Sequence, residues 1–293
     1  MHDVIATTVQ NARPAGRFAI PKRLLRAGLP LSVRMALARF LSRRRWIAAR
    51  NWWAHEMLRD LAESDPNAYH RFLWGHHLGY AETYEVAVRF GADKVHATRR
   101  MLFDDLSQCL SSVSVDPKLV TSVFEIGCSL GYNLRFLEQF VFPHAAILEG
   151  CDIDAYAVEQ GRAYLETIGS RVNVFTADMA ALQQRLHGKT YDVTFCAGVL
   201  MYLVREDAER VVADILRHTK VVAAFSGLAD PDQDNAALTD SRVRERDGTF
   251  VHNIDAMVTR AGGRVIQRRW GGSRSVDGNT VYFVFAEPAA GRL

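Results

Sequence analysis

The sequence predicts an α/β fold, in which a mostly parallel sheet ends in an antiparallel C-terminal hairpin and is preceded by an N-terminal helical region. From Trp46 to Leu110 the apolar residues recur at helical spacing and include many aromatics. After Asp116-Pro117 the pattern changes to short apolar strands that alternate with helices, which is typical of a parallel sheet covered on both faces. A glycine-rich link leaves no room for a crossover helix between the last two strands, so they should pair antiparallel.

The N-terminal part divides into an extended basic arm at residues 1–30 and a helical lid or oligomerisation region at residues 31–115. Ser32 can cap a helix with apolar residues at helical spacing. Residues 1–50 hold eleven Lys or Arg and one acid, a net charge of +10, so the rest carries −7 of the total of +3. Such a basic segment suits a peripheral membrane or other anionic surface, through residues 13–50, or is a solvated face.

The composition also indicates the cellular compartment in which the protein is expected. No apolar run approaches the roughly 18–20 residues that span a bilayer. The N-terminus lacks the apolar segment and cleavage site of a secretory signal, although its Arg-rich, acid-poor character also resembles an organellar transit peptide. The four cysteines lack metal-ligand spacing, which predicts buried, reduced thiols and no metal site. We therefore expect a cytoplasmic protein.

The sheet domain, residues 116–293, is predicted element by element. Its strand candidates are Val120–Ile126, Ala146–Asp152, Val172–Thr176, Asp192–Ala197, Val221–Ser226, Arg264–Arg269 and Val281–Ala286. Its helix candidates are Asn133–Phe142, Ala155–Ile168, Met179–Leu186, Arg205–His218 and Ile254–Ala261. Open α/β sheets bind ligands outside the carboxyl ends of their strands, so functional residues are expected there.

The most informative stretch is Glu125 to Gly131, where the first strand turns into a helix. Gly127 removes a Cβ where backbone approaches a ligand, and Gly131 lets the helix start close to the strand. A dinucleotide site wants Gly-x-Gly-x-x-Gly, but Ser129 and Tyr132 stand at the second and third glycine positions. The Gly-Lys-Ser/Thr of a P-loop is also missing. The turn therefore favours a cofactor without phosphates.

Acidic residues at the next two strand ends suit an adenosine. Asp152 ends the second strand, where a carboxylate can accept both ribose hydroxyls. Asp178 follows the third strand, where it can accept from an adenine amino group while Met179 covers the ring. Capping of the next helix is the alternative role of Asp178.

These elements, in this order, resemble the class I S-adenosylmethionine-dependent methyltransferases over about residues 118–288. The resemblance implies a Rossmann-like domain with S-adenosyl-L-methionine as cofactor, its methionine half at the first motif and its adenosine at the second and third. The residues it implies for cofactor binding are Glu125, Gly127, Cys128, Ser129, Gly131, Asp152, Ile153, Asp178, Met179 and Ala197. Ser129 replaces the central glycine of the usual pattern, and Tyr202 stands where small-molecule members often have histidine.

Candidate catalytic residues come from three places. His77 and Tyr80 share one helix face with Tyr84, at i, i+3 and i+7, and that face could roof the cofactor crevice. Packing is the alternative for each of them. Tyr202 follows the fourth strand, and His252 follows the fifth strand and has a suitable intrinsic pKa for a general base.

We expect a methyltransferase that acts on a small-molecule, sugar or lipid-linked acceptor, at oxygen or nitrogen, and that pairs as a homodimer through its helical region. Methyl transfer needs orientation and desolvation, and a general base only where the acceptor is protonated. Three alternatives stay open. They are intramolecular cyclisation of the cofactor with release of methylthioadenosine, nucleic-acid methylation through the basic N-terminus, and a non-catalytic module that keeps the cofactor as a structural element. The Asp/Asn-Pro-Pro-Tyr/Phe motif of amino-group methylases is missing, so nucleic acid is not the favoured partner.

Overall fold

The computed structural model describes residue 26 and residues 28–42, 50–79, 95–244 and 247–288. Its strands are β1 (Ser122–Ile126), β2 (Ile147–Asp152), β3 (Val172–Thr176), β4 (Tyr191–Ala197), β5 (Thr219–Gly227), β6 (Arg242–Arg244), β7 (Thr249–Val251), β8 (Arg264–Val276) and β9 (Asn279–Glu287). Its α-helices are α1 (Leu31–Ser42), α2 (Arg50–Met57), α3 (Arg59–Ser64), α4 (Pro66–Gly75), α5 (Ala97–Ser112), α6 (Tyr132–Phe136), α7 (Ala155–Thr167), α8 (Leu182–Leu186), α9 (Arg205–Arg217) and α10 (Ile254–Arg260).

Within these residues, seven strands form one sheet in the order β3-β2-β1-β4-β5-β9-β8, and β6 and β7 form a separate hairpin. Strands β1 to β5 pair in parallel. Strand β9 runs antiparallel to both β5 and β8. The predicted α/β class, parallel sheet and reversed C-terminal hairpin are therefore confirmed. The strand order reverses between β1 and β4, and open α/β sheets bind ligands at such a point.

Both faces of the sheet are covered. Successive side chains of a strand point to opposite faces, so Val123 and Phe124 of β1 enter two different apolar clusters. Helix α5 brings Leu102, Phe103 and Leu106 to the cluster of Val123. The sequence analysis grouped α5 with the N-terminal helical region, and in the structure it packs into the core of the sheet.

Helices α1 to α4 and the turn that follows them, up to Gly79, form a separate layer that we call the head. Its own small core includes Phe72 and Leu73. Arg34 of α1 is 5% exposed, and both its terminal nitrogens donate to the carboxylate of Asp60 at 2.6 Å. This bidentate pair fastens α1 to the rest of the head. No helix in the described ranges combines the length and the apolar character that crossing a bilayer requires.

Two local features differ from the sequence analysis. The segment between β5 and α10, where no strand was predicted, contains the β6–β7 hairpin, whose Phe250 and Val251 are buried. Strands of three residues are too short to display a recognisable alternation. Two glycines of the predicted link, Gly271 and Gly272, lie inside β8, and the turn falls at Asp277-Gly278, both with positive φ. Two positive φ values match the hairpin turn that suits the right-handed twist of its strands.

Candidate active site

A cavity of about 760 Å³ lies at the carboxyl ends of β1 to β4, under the head and beside the β6–β7 hairpin. Each of the three predicted cofactor motifs contributes to its lining, as do α4 of the head and the 3₁₀ turn Leu200–Tyr202 after β4. All four cysteines are buried and free, and Cys128 and Cys151 face this cavity. The predicted crevice is thus one continuous space from the glycine turn to the head.

The glycine turn needs its glycines for packing as much as for ligand access. Gly127 has a φ of +75°, and a Cβ placed there would lie 2.2 Å from Cγ2 of Val199. Gly131 has a φ of +82°, and its Cβ would lie 2.8 Å from Cγ1 of Val174. Ser129 adopts a φ of +50° without being glycine, which is the conformation the missing central glycine would have adopted freely.

Glu125 lies beneath this turn and does not line the cavity. It is 1% exposed, and its Oε1 accepts from Nδ2 of Asn133 at 2.7 Å. Burial raises the pKa of Glu125 to about 8, against the opposing effects of Asn133 and of the charge on Arg99. Oε2 of Glu125 and Oδ1 of Asn133 have no hydrogen-bond partner among the described residues. Asn133 does line the cavity, so Glu125 can affect a ligand there only by orienting the amide of Asn133.

Asp152 is held rigidly at the end of β2. Its Oδ2 accepts from the backbone N–H of Ser129 at 2.7 Å, and its Oδ1 accepts from that of Asp154 at 2.9 Å. Burial raises the pKa of Asp152 to about 6, although the two backbone hydrogen bonds oppose the shift. A carboxylate oxygen can accept more than one hydrogen bond, so the fixed carboxylate still offers acceptors to the cavity that it lines.

Asp178 caps the turn that follows β3, which is the alternative role that the sequence suggested for it, and it also forms an ion pair. Its Oδ1 accepts from the backbone N–H of Ala180 at 2.9 Å and caps the turn Met179–Ala181. Its Oδ2 is paired with the guanidinium of Arg71 of the head. Asp178, Met179 and Ile153 all line the cavity, so the residues predicted for adenosine are brought together.

The structure gives His77 and His252 structural positions. Nδ1 of His77 lies 2.6 Å from Oδ2 of Asp154, whose other oxygen caps α7, and His77 does not line the cavity. Nε2 of His252 lies 3.0 Å from the carbonyl of Leu200 and Nδ1 lies 2.7 Å from Oγ of Ser241. Both nitrogens of His252 are therefore engaged within the fold and burial lowers its pKa, which corrects the expectation that it faces the acceptor.

The remaining predicted residues are placed as follows. Tyr202 lines the cavity, as do Gly127, Cys128, Ser129 and Ala197. Tyr80, like Tyr84, lies outside the described residues. Gly131 begins α6 just behind the turn.

The helical region was expected to roof the crevice, but the residues of α4 that line the cavity were not predicted. His70 and Trp74 of α4 both line it, and the ring of Tyr202 lies between theirs, with centroids 5.1 and 4.9 Å away. His70 and Trp74 are spaced i, i+4, so they share one face of α4. That spacing was visible in the sequence and could have identified the pair.

Arg99 of α5 was also missed. Its Nη2 donates to the carbonyl of Ala197 at 2.7 Å and lies against the backbone of Gly198. Gly198 has a φ of +73°, and a Cβ there would lie 2.8 Å from that nitrogen. The guanidinium lines the cavity beside the glycine turn and brings a positive charge to the end where the methionine half of the cofactor was expected.

Comparison with known proteins supports the cofactor assignment. Residues 123–221 match the family model described as a methyltransferase domain. A search of curated proteins found no match.

Solved structures to which the chain is similar include several methyltransferases. One from Galdieria sulphuraria, provisionally assigned as a sarcosine dimethylglycine methyltransferase, is 11% identical with a TM-score of 0.50, over 66% of this chain and 84% of that one. Magnesium protoporphyrin IX methyltransferase from Synechocystis PCC 6803, with bound S-adenosylmethionine, is 18% identical with a TM-score of 0.48, over 80% and 96%. An amino pentose methyltransferase from Micromonospora echinaspora is 16% identical with a TM-score of 0.49, over 71% and 97%.

The matched segment begins in β1 and ends in β5, so it contains the glycine turn and both acidic strand ends. The unsatisfied amide oxygen of Asn133 near the glycine turn and a fixed carboxylate at β2 suit a cofactor with an ammonium at one end and a ribose at the other. Residues 123–221 are thus similar to a methyltransferase domain, and they contain the motifs from which the sequence predicts S-adenosylmethionine as cofactor.

Proposed function

We propose that the protein transfers the methyl group of S-adenosylmethionine to a small-molecule acceptor held between α4 and the β6–β7 hairpin. The observation that carries this proposal is the continuity of one cavity from Asp152 and Asp178 to His70, Tyr202 and Arg244. Its volume of about 760 Å³ falls within the range of small-molecule sites. Cofactor and acceptor would therefore share one enclosed space.

The cofactor end is assigned residue by residue. Asp152 would hold the ribose hydroxyls, and Asp178 the adenine amino group, with Ile153 and Met179 on the ring. Asn133, backed by Glu125, offers acceptors to the ammonium of the methionine half. Arg99 offers donors to its carboxylate. The bound cofactor supplies an electrophilic methyl group on a sulfonium.

The chain's contribution to the transfer is orientation and exclusion of water. The rings of Trp74 and Tyr202 wall the cavity at the acceptor end. Aromatic faces attract a cation, and more strongly where water is excluded. The head, which brings Trp74, therefore both closes the space and presents π faces toward positive charge.

The charges around the cavity favour a small acceptor over nucleic acid. Three of the arginines that line the cavity are paired with acids, Arg71 with Asp178, Arg210 with Asp207 and Arg244 with Asp247. Neutralised arginines do not form the continuous positive track along which proteins bind a phosphate backbone. Contact of residues 13–50 with a membrane or anionic surface, and dimerisation, stay predictions.

Calorimetry with S-adenosylhomocysteine tests the cofactor site. Asp152→Ala should weaken binding at least tenfold, because it removes the ribose acceptor and releases the turn at Ser129. Asp104→Ala, an exposed position on α5, is the matched control and should bind like wild type. Absence of binding to wild type, or equal binding by the Asp152 variant, would contradict the site.

The products formed from S-adenosylmethionine test the reaction. Transfer to an acceptor leaves S-adenosylhomocysteine, whereas cyclisation leaves methylthioadenosine. Chromatography of the nucleoside products should show the former, in an amount equal to the methylated acceptor. Methylthioadenosine as the enzymatic product would instead support the cyclisation alternative.

A further inference from the structure

His70 is a buried histidine in the acceptor half of the cavity for which the cofactor motifs provide no role. We propose that His70 is the general base of this enzyme and that the acceptor group is the hydroxyl of a planar aromatic ring, a phenol. The proposal rests on the proposed function, since it requires methyl transfer to take place in this cavity.

The hydrogen bonding of His70 fixes its tautomer. Its Nε2 lies 3.0 Å from the carbonyl oxygen of Gly248, in the turn of the β6–β7 hairpin. A carbonyl oxygen can only accept, so Nε2 carries the proton of the neutral ring. Nδ1 is then left with a free lone pair, which is what a general base needs.

His70 lies in the wall of the cavity, and only one of its ring nitrogens is engaged by a hydrogen bond among the described residues. Nδ1 has no hydrogen-bond partner among the described residues. It is also absent from the fully buried polar atoms without a partner in those residues, so part of its surface is accessible. The residue is 4% exposed, and it lines the cavity, so the little access it has is access to the cavity.

The surroundings of His70 keep the imidazole neutral. Burial lowers its pKa, while the Gly248 carbonyl and the charge of Asp247 in the same turn act in the opposite direction. Tyr69 on its own helix and Tyr202 beyond α4 face it with their rings, and His55 of α2 lies near enough to interact electrostatically. A ring that is neutral at pH 7 is ready to accept a proton.

A hydroxyl acceptor needs this base more than an amine does. A neutral amine attacks with its lone pair and can lose its proton afterwards, whereas a hydroxyl is a weak nucleophile until its proton is removed. The rings of Tyr202 and Trp74 next to His70 favour a flat aromatic carrier of that hydroxyl.

The step balances without a further reactant. Nδ1 of His70 takes the hydroxyl proton while the acceptor oxygen forms a bond to the methyl carbon. The methyl–sulfur bond breaks, and its electron pair stays on sulfur. The products are an aryl methyl ether, S-adenosylhomocysteine and an imidazolium at His70, which returns its proton to water.

The test compares phenols with matched anilines. Wild type, His70→Ala and His70→Asn are incubated with S-adenosylmethionine and a panel of one- to three-ring phenols, each paired with the aniline of the same shape, and methylated products are identified by mass spectrometry. His144→Ala, an exposed histidine away from the cavity, is the control. We expect methyl ethers from wild type and from the control.

The dependence of the rate on the acidity of the phenol distinguishes a general base from a packing residue. With a phenol of pKa about 10, loss of His70 should lower kcat about 100-fold or more at pH 7. A nitrophenol that is already ionised should be methylated by the variants within a few-fold of wild type. Affinity for S-adenosylhomocysteine should stay within about twofold in all variants, since His70 lies at the acceptor end.

Each other outcome is decisive. Transfer to anilines alone, or to no phenol by a wild-type enzyme that binds S-adenosylhomocysteine, would overturn the hydroxyl acceptor. Equal losses with the ionised and the neutral phenol would overturn the base role and make His70 structural. Wild type that fails to bind S-adenosylhomocysteine would refute the proposed function itself.

Discussion

Arg71 of α4 is ion-paired with Asp178, the carboxylate at the end of β3, so the head reaches the point on the sheet where the adenine is expected. The side chains are 48% and 29% exposed. An ion pair so exposed contributes at most about 1 kcal/mol to stability. We therefore expect the pair to affect access to the cavity more than the stability of the fold.

Arg71→Ala should speed exchange of the cofactor. If the pair must open before a ligand enters, its removal raises both the association and dissociation rates of S-adenosylhomocysteine, by up to about fivefold for 1 kcal/mol. Stopped-flow fluorescence measures both rates. Arg59→Ala, which removes an exposed pair with Glu63 within α3, should leave them unchanged. Slower exchange in the Arg71 variant would contradict the closing role.

Glu125→Gln should remove a pH dependence of stability in the cofactor-free protein. The pKa of Glu125 rises from its ordinary 4.5 to about 8 on folding, so the carboxyl is protonated in the native state at neutral pH. A raised pKa stabilises the fold below pH 4.5, and the contribution is lost as pH rises to about 8. The loss is of the order of 3–5 kcal/mol over that window.

Urea unfolding between pH 5 and 8.5 measures this contribution. Wild type should lose stability relative to Glu125→Gln as pH rises, because glutamine imitates the protonated acid and stays neutral. Glu159→Gln, at an exposed position on α7, is the matched control and should follow wild type. Parallel curves for wild type and Glu125→Gln would show that Glu125 is not protonated in the fold.

The donor half of the site could be predicted from sequence because each of its motifs is a short local pattern at the end of a strand. Glu125 to Gly131, Asp152 and Asp178 each end a strand, and the parallel sheet brings those ends to one edge. Local spacing is sufficient for such a prediction. The structure adds what packs beneath them, such as Val199 against Gly127.

The acceptor half could not be predicted in the same way. His70 meets Gly248 across 178 positions of sequence, and Arg99 meets Ala197 across 98. No local pattern records such contacts, so His252 was predicted from its intrinsic pKa and His70 was not considered. What distinguishes the two is the second nitrogen, which Ser241 engages in His252 and which is open in His70.

His77→Asn and His77→Ala should show whether His77 has a structural role, through its bond to Asp154, or a catalytic one. His77 has a φ of +57° and bonds to Asp154, which caps α7 beside the ribose end of the site. Asparagine tolerates positive φ and keeps a donor, so it should preserve the link, whereas alanine loses both.

Hydrogen exchange of α4 is the measurement for His77. The alanine variant should protect the amides of Pro66–Gly75 less than wild type, and the asparagine variant should lie close to wild type. The kcat of both variants should equal that of wild type at saturating cofactor, because His77 does not line the cavity. A large loss of kcat with unchanged exchange would restore His77 as a catalytic residue.

Gly127→Ala and Gly188→Ala form a matched pair that isolates packing from backbone strain. The two glycines have φ values of +75° and +76°, so alanine suffers the same conformational penalty at both. That penalty is about 1–2 kcal/mol. Around Gly188 a Cβ would meet nothing within 4 Å, whereas at Gly127 it would meet Cγ2 of Val199 at 2.2 Å.

The prediction is that Gly188→Ala lowers the free energy of unfolding by only the strain penalty and binds S-adenosylhomocysteine normally. Gly127→Ala should lose at least about 1–3 kcal/mol more, the usual cost of overpacking, and bind at least tenfold more weakly. Val199→Ala in the Gly127→Ala background removes the clashing methyl groups, so it should recover part of the stability. Equal losses at the two glycines, or no recovery, would mean that strain alone requires glycine at the turn.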